Sequence, residues 1–278
     1  MRKPTCVFSS AAPPTVRDGH AVDRFVQIAS LTKVVTGTAL TRMAAAEVLA
    51  LDDPVERWLP AVPGTGITLR HLARHTSGLP RLPPGRISRR DPYAAFDLPA
   101  LERLLLRLDT LARRPPGQEE EYSNLGYAVL GAALTAASGA TYEELVTEYV
   151  LRPLDITEIT SDPDPGRRLL PPGLLGRPRR PWTMTGAILP AGGLWAPPRA
   201  MAALVVRLLV EHRLGDPAPS WQTAGPLHWH NGATRRTSVF AGAVDDGRWV
   251  MIHQLNAPPE NTDQAGMEIL RGAETVTS

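Results

Sequence analysis

Helical patterning fills the middle of this chain, and its last third changes to the patterning of β-strands. In that last third, the runs LHWHNGATRR, TSVFAGAVDD and RWVMIHQLN predict strands, with a hairpin turn at Asp245-Asp246-Gly247. One further strand is predicted near the N-terminus, at residues 6–9. The stretches with helical patterning are residues 30–50, 67–74, 98–113, 125–138, 141–151, 198–212 and 261–271. The chain must therefore combine α and β structure, although periodicity alone does not say how the elements connect.

Length and composition exclude several classes of protein. The 278 residues can hold one large domain or two interleaved ones, and a net charge of +2 argues against a nucleic-acid-binding surface. The single cysteine, Cys6, cannot form an intrachain disulfide, which fits a reducing compartment. The N-terminal residues lack the apolar core of a signal peptide, and the longest apolar stretches are too short to span a bilayer. We therefore expect a cytoplasmic protein with neither a nucleic-acid nor a membrane partner, whose oligomeric state the sequence leaves open.

Ser30 and Lys33 form an S-x-x-K pair at the predicted start of a helix. Ser is a good N-cap residue, and Lys33 lies one turn later on the same face. A buried amine can lose its proton near neutral pH and activate a neighbouring hydroxyl. Lys occurs only at Lys3 and Lys33, every other basic side chain except histidine being Arg, which cannot transfer a proton. The pair is thus a candidate nucleophile and proton acceptor, the alternative being a capped helix with an ordinary exposed Lys.

Two later tripeptides carry further candidate chemistry. In Tyr122-Ser123-Asn124, an ammonium near the phenol would lower its pKa toward phenolate and make it a base, and the amide could hold a substrate amide. The alternative is that Ser123 or Asn124 only caps the next helix. His230-Asn231-Gly232 lies in a predicted strand, where extended backbone could pair with substrate. The alternative there is a histidine whose bonds are satisfied within the strand.

Two histidine pairs have a spacing that metal ligands can have. His71 and His75 are four residues apart on a predicted helix, and His228 and His230 alternate on a predicted strand. Neither pair has a convincing third ligand nearby in sequence. We therefore expect no metal site, and no cofactor.

In the order S-x-x-K, Y-S-N and H-x-G, these motifs resemble those of the serine β-lactamase and penicillin-binding-protein superfamily. The resemblance is strongest to the branch of class C β-lactamases, DD-carboxypeptidases and esterases, and it covers residues 25–256. LDDPVERWLP, LRHLARHTSGLP, YSNLGYAVLG and PAGGLWAPPRAMAAL are also of the kind seen in that branch. The resemblance implies an α/β (α+β) fold, an antiparallel sheet flanked by helices. Residues 1–50 and 186–278 would form the sheet domain, and residues 51–185 an inserted, mainly helical domain.

The resemblance implies a catalytic role for four of these residues. Ser30 would be the acylated nucleophile and Lys33 its proton partner. Tyr122 would be the general base and the acid that protonates the leaving group. His230, in the place of the lysine of K-T-G, would lie near Tyr122 and the substrate.

The other implied site residues would bind substrate. Asn124 would contact the substrate amide, and the backbone N–H of Ala233, just after Gly232, would join that of Ser30 in the oxyanion hole. Arg235 and Arg236 stand where relatives tend to have small residues. We expect them to bind an anionic group such as a carboxylate or phosphate, the alternatives being that they narrow the cleft or face solvent. Because side chains alternate along a strand, at most one of them would face the active-site cleft if the strand continued regularly through both.

The implied activity is that of a serine hydrolase or acyltransferase acting on an ester or amide of a small metabolite or peptide. A β-lactamase or a D-Ala-D-Ala-type carboxypeptidase is the alternative, and the lack of an export signal argues against the carboxypeptidase. An alternative of another class is a catalytically silent binding protein on the same fold. The departures at ATRRT and at the short N-terminal segment keep that alternative open.

Overall fold

The computed structural model describes residues 3–85, 88, 90–173 and 177–272. Its strands are β1 Thr5–Ser9, β2 Thr15–Arg17, β3 Val26–Gln27, β4 Trp195–Ala196, β5 Gln222–Ala224, β6 Leu227–Thr234, β7 Thr237–Val244 and β8 Trp249–Leu255. Six of them form one antiparallel sheet in the order β2-β1-β8-β7-β6-β5, and β3 pairs with β4 in a small second sheet. Because β1 pairs with β8, the two ends of the chain meet in one sheet.

The helices of the described residues lie mostly between β3 and β4 in the sequence. They are α1 Thr32–Ala45, α2 Leu69–Ala73, α3 Leu98–Leu105, α4 Leu108–Leu111, α5 Asn124–Ser138, α6 Tyr142–Val146, α7 Leu189–Gly192, α8 Pro198–Val205 and α9 Pro259–Leu270. A single 3₁₀ turn, Ala29–Leu31, precedes α1, and π-helical turns at Thr147–Leu151 and Val206–Val210 extend α6 and α8. These helices flank the sheet, so the predicted fold class is confirmed.

The two faces of the sheet follow from the alternation of side chains along β7. Phe240 points to the face covered by α9, where it packs with Val250, Ile252 and Leu270. Val239 and Ala241 point to the opposite face and join the main core. Their partners on β6 are Gly232 and His230, so these two residues also lie on the main-core face. That face carries the 3₁₀ turn with Ser30.

Several predicted elements are confirmed, and others have different limits. The strand at residues 6–9, the final helix and the hairpin at Asp245-Asp246-Gly247 are present. The predicted helix over 98–113 divides into α3 and α4. The predicted helix over 30–50 runs only from Thr32 to Ala45. The boundaries of the predicted sheet and helical domains, residues 1–50 with 186–278 and residues 51–185, stay a prediction.

No helix in the described part of the chain is both long enough and apolar enough to cross a membrane.

Candidate active site

Ser30 lies in the 3₁₀ turn between β3 and α1. Ala29, just before it, has a φ of +50°, a left-handed conformation that costs energy for a residue with a Cβ atom and is often found at functional sites. The prediction that Ser30 caps the helix is wrong, because the N-cap is Leu31 and no side chain caps α1. The Ser30 hydroxyl instead accepts a hydrogen bond from the Tyr122 hydroxyl at 2.7 Å and lies 3.3 Å from Lys33 Nζ.

Lys33 is fully buried on the first turn of α1. Burial, and to a lesser extent the positive charge of Arg81, lowers the pKa of Lys33 well below 10.5. Its Nζ lies 2.8 Å from Asn124 Oδ1 and 2.6 Å from the Ala191 carbonyl oxygen. Both of these oxygens can only accept, so Nζ donates a hydrogen bond to each of them. In the neutral form of the amine these two bonds use both N–H groups, which leaves the lone pair for Ser30 Oγ.

Tyr122 does not have the lowered pKa that the sequence led us to expect. Burial raises the pKa of its phenol to about 12, despite the opposing effects of its hydrogen bond to Ser30 and of the Arg81 charge. The Lys33 amine lies 4.8 Å from the centroid of the Tyr122 ring. Burial opposes the phenolate more strongly than the nearby positive charge favours it. In this structure the Tyr122 hydroxyl donates to Ser30 Oγ, and its predicted role as general base stays a prediction.

Asn124 begins α5 and bonds with Lys33. Its Oδ1 accepts from Lys33, and its Nδ2 donates to the Tyr93 hydroxyl at 2.6 Å. The preceding residue, Ser123, caps α5 by accepting from the Gly126 N–H. The Oδ1 and the Nδ2 of Asn124 each retain capacity for one more hydrogen bond. Its predicted contact with a substrate amide stays a prediction.

His230 and Gly232 bring β6 to the Ser30 turn. His230 is buried, and burial together with the charge of Lys33 lowers its pKa to about 3. Its Nδ1 lies 2.6 Å from the Asn231 carbonyl oxygen, which only accepts, so Nδ1 carries the proton of the neutral ring. Gly232 lies so close to Ser30 that a Cβ atom on it would be 2.6 Å from the Ser30 backbone nitrogen.

The approach of β6 to Ser30 fits the predicted oxyanion hole. β5 pairs with β6 only at Leu227–Trp229, so within the described strands the β6 edge beyond Trp229 is not covered by β5. Ala233, the residue after Gly232, is exposed. The pairing of its N–H with that of Ser30 around an oxyanion stays a prediction.

Arg235 and Arg236 do not continue the strand. Thr234 and Thr237 are paired across β6 and β7, so the two arginines form the two-residue loop between them. Arg236 has a φ of +64° and is exposed, whereas Arg235 is half-buried. Arg236 also lines a cavity of about 240 Å³ with Thr234 and Asn256. The condition of a regular strand is therefore not met at these two residues, and their contact with substrate stays a prediction.

Besides Tyr93 and Ala191, the structure brings His75 and Arg81 to the site, where the sequence did not place them. His75 packs its ring on Tyr122 with centroids 4.5 Å apart, and the Arg81 guanidinium carbon lies 5.4 Å from the same ring. Both come from the HTSGLPR segment after α2. The i,i+4 spacing of His71 and His75 is one that metal ligands can have, but the His71 side chain instead completes the capping box of α2. Within the described residues, no three His, Cys, Asp or Glu side chains group as metal ligands.

The chain is similar to several known proteins. The family model described as Beta-lactamase matches residues 14–265. D-alanyl-D-alanine-carboxypeptidase/endopeptidase AmpH of Escherichia coli (strain K12) is 37% identical over 189 residues, which are 65% of this chain and 48% of that protein. Esterase EstB of Burkholderia gladioli is 34% identical over 159 residues, 51% of this chain and 40% of that protein. The chain thus matches about half or less of each of these relatives.

The solved structures show the same fold. The crystal structure of beta-lactamase/D-alanine carboxypeptidase from Yersinia pestis, complexed with citrate, aligns with a TM-score of 0.78 at 20% identity. The alignment covers 97% of this chain and 92% of the other. The Beta-lactamase family match spans most of the chain, including the Ser30 turn, Tyr122 and the β6 strand. This chain therefore belongs to the Beta-lactamase family.

Proposed function

We propose that this protein is a serine hydrolase that forms an acyl-enzyme on Ser30 from an ester or amide of a small metabolite or peptide. The observation that carries the proposal is the hydrogen-bonded line from Tyr122 through Ser30 to Lys33. The Ser30 Oγ lies 2.7 Å from the Tyr122 hydroxyl and 3.3 Å from a buried amine whose pKa is lowered. A hydroxyl between a proton donor and a proton acceptor is what acyl transfer requires.

In the acylation that we propose, Lys33 is the neutral base and Tyr122 is the acid. The lone pair of Lys33 accepts the Ser30 proton while Oγ forms a bond to the substrate carbonyl carbon. The oxyanion of the tetrahedral intermediate lies at the backbone N–H groups of Ser30 and Ala233. When the bond to the leaving group breaks, Tyr122 gives its proton to the leaving oxygen or nitrogen. The Lys33 ammonium restores that proton, so no net charge is left on the enzyme.

Deacylation repeats these transfers with a second nucleophile. Water as acceptor gives hydrolysis, and an alcohol or amine gives acyl transfer. The proposal takes water as the acceptor, and acyl transfer stays its alternative. Neutral His230 leaves its Nε2 unprotonated, so it can accept a hydrogen bond from substrate or from Tyr122.

The substrate is proposed from the relatives together with the site. EstB is named as an esterase, and AmpH as a carboxypeptidase and endopeptidase. An ester or amide substrate is common to both activities. A D-alanyl peptide is the second candidate because of the AmpH match, which covers more of this chain than the EstB match does. A cytoplasmic setting is part of the first proposal, because the single Cys6 fits a reducing compartment.

Covalent labelling tests the proposal directly. Intact-mass spectrometry after exposure to a fluorophosphonate should show one adduct on the wild type and none on Ser30→Ala. Lys33→Arg should lower kcat/KM for a p-nitrophenyl ester about 10²- to 10⁴-fold, nearly as much as Lys33→Ala, because it keeps the charge and cannot accept a proton. An adduct that survives Ser30→Ala removes Ser30 from the role. Absence of any adduct favours a silent binding protein.

A substrate panel then separates the candidates. It contains p-nitrophenyl esters, nitrocefin and a D-Ala-D-Ala peptide, each measured with the wild type and with Ser30→Ala. The proposal expects Ser30-dependent ester turnover to exceed that of nitrocefin. Faster turnover of the peptide would favour the carboxypeptidase alternative, and faster turnover of nitrocefin would favour β-lactamase activity.

A further inference from the structure

Tyr122 belongs to no helix or strand, so contacts from elsewhere must hold its phenol in place. It lies on the irregular segment before α5, within the described residues. A misplacement of about 1 Å in a catalytic group can cost about a hundredfold in rate. The segment therefore needs an anchor that fixes its backbone on both sides of Tyr122.

His75 provides bonds on both sides. The Glu121 N–H donates to the His75 carbonyl oxygen at 2.8 Å, and the Ser123 N–H donates to His75 Nδ1 at 3.1 Å. The imidazole also packs on the ring of Tyr122, with a centroid distance of 4.5 Å and an interplanar angle of 38°. One residue thus binds both neighbours of Tyr122 and covers the phenol ring between them.

This arrangement needs one particular tautomer of His75. Nδ1 can accept from Ser123 only if it is unprotonated, so the proton of the neutral ring must be on Nε2. Burial lowers the pKa of His75 well below 6.5. The ring is therefore neutral at neutral pH, as the hydrogen bond requires. The left-handed backbone of His75, with a φ of +60°, is a conformation that histidine and asparagine adopt more readily than most residues.

We infer that His75 is a positioning residue for Tyr122, acting through Nδ1 on the Ser123 N–H and through its ring on the phenol. Its kinetic consequence rests on the proposed function, whereas its tautomer does not. Because His75 acts through Tyr122, its loss should slow the chemical step and leave substrate binding nearly unchanged. Ser123 is fully buried, so its N–H would have no solvent to replace the lost acceptor.

Two substitutions separate the acceptor from the ring. His75→Phe keeps an aromatic ring and removes the acceptor, whereas His75→Asn keeps an acceptor near the position of Nδ1 and suits a positive φ. His71 offers matched controls, because its Nδ1 also accepts a backbone N–H, that of Thr68 at 3.3 Å. His71→Phe and His71→Asn therefore make the same chemical changes in the preceding helix. Circular dichroism and the melting temperature check that all four variants are folded.

We expect His75→Phe to lower kcat for a p-nitrophenyl ester about 10- to 100-fold with little change in KM. His75→Asn should recover most of that loss, and both His71 variants should keep kcat close to that of the wild type. The inference is overturned if folded His75→Phe matches the wild type, if His75→Asn is as slow as His75→Phe, or if only KM changes.

A measurement without substrate keeps the two proposals distinguishable. Long-range ¹H–¹⁵N spectra of ¹⁵N-histidine protein, with His75 assigned from the variants, should show a proton on Nε2 and none on Nδ1. A proton on Nδ1 overturns the inference whatever the activity. A wild type that is not labelled at Ser30 but shows the Nε2–H tautomer contradicts the proposed function and supports the positioning contact.

Discussion

At the scale of residues, Gly232 allows β6 to approach the backbone of Ser30 closely. A Cβ atom at this position would lie 2.6 Å from the Ser30 nitrogen and 3.1 Å from Ala29 Cβ. Gly232→Ala must therefore push β6 away from the backbone N–H that is proposed to bind the oxyanion. We expect the rate of Ser30 labelling by a fluorophosphonate to fall about 10²- to 10³-fold, as on loss of one oxyanion donor.

Gly242 on β7 offers a matched control for this substitution. A Cβ atom there would lie 2.6 Å from the His228 carbonyl oxygen, an equally short contact that does not involve Ser30. Gly242→Ala should lower the melting temperature but leave the labelling rate of the folded fraction close to that of the wild type. Equal labelling rates for the two folded variants would mean that the close approach of Gly232 to Ser30 has no role in acylation.

The sequence identified Ser30, Lys33 and Tyr122 as candidates, and the structure places their polar atoms in contact. The sequence could not show how the pKa of each group is shifted. That depends on how far each group is buried and on which oxygens surround it, and the nearest of these, Ala191, is 158 residues from Lys33. His75 was missed for the same reason, because its partners Glu121 and Ser123 are distant in sequence.

At the scale of elements, the β6–β7 hairpin places Arg235 and Arg236 in different surroundings. Arg236 lines the cavity of about 240 Å³ next to Thr234, whereas Arg235 is half-buried and is not among the residues that line it. A charge-assisted hydrogen bond to an anion contributes about 1.5–3 kcal/mol, or roughly ten- to a hundredfold in affinity. Arg236→Ala should therefore raise KM for an anionic ester by about this factor and leave a matched neutral ester unchanged.

Arg235→Ala is the control for this prediction and should change neither KM. The measurement is a pair of p-nitrophenyl esters that differ only in a terminal carboxylate. If each arginine substitution changes the KM values of the two esters equally, the two arginines are only surface residues. The expectation of an anionic substrate group is then wrong.

Elements were predicted best where their signals are local. The Ser123 cap and the Asp-Asp-Gly hairpin depend on residues a few positions apart, and both are present. The start of α1 was misplaced because Ser30, an apparent cap, bonds with the distant Tyr122 instead. The turn at Arg235 was missed because it contains no Gly, Asn or Pro, the residues that mark most hairpin turns.

At the scale of the whole molecule, the pairing of β1 with β8 is the feature that periodicity could not supply. The paired residues, such as Cys6 and His253, are separated by nearly the whole chain. Helical and strand patterning predicted which elements exist, but only the family resemblance implied that both chain ends share one sheet. His253 lies on β8 in this pairing, and its Nδ1 lies 2.8 Å from Nε2 of the buried His20.

Buried histidines make acid the condition to which the whole fold should be most sensitive. Burial lowers the pKa of His20 to about 4 and that of His230 to about 3, and it lowers those of His75 and His253 well below 6.5. A folded-state pKa below the unfolded value means that the unfolded chain binds more protons in acid. The stabilisation is thus complete above pH 6.5 and is lost as the pH falls toward 4.

We therefore expect the free energy of unfolding to fall steeply between pH 6.5 and pH 4. Each histidine that is protonated only in the unfolded chain contributes a slope of up to about 1.4 kcal/mol per pH unit, so four give about 5 kcal/mol per unit at most. Urea unfolding at pH 7, 6 and 5 measures this slope. His20→Gln keeps a donor for His253 and should reduce the slope by about one histidine's share. A free energy of unfolding that stays constant from pH 7 to pH 5 would contradict this prediction. It would mean that these rings bind protons in the folded protein as readily as in the unfolded chain.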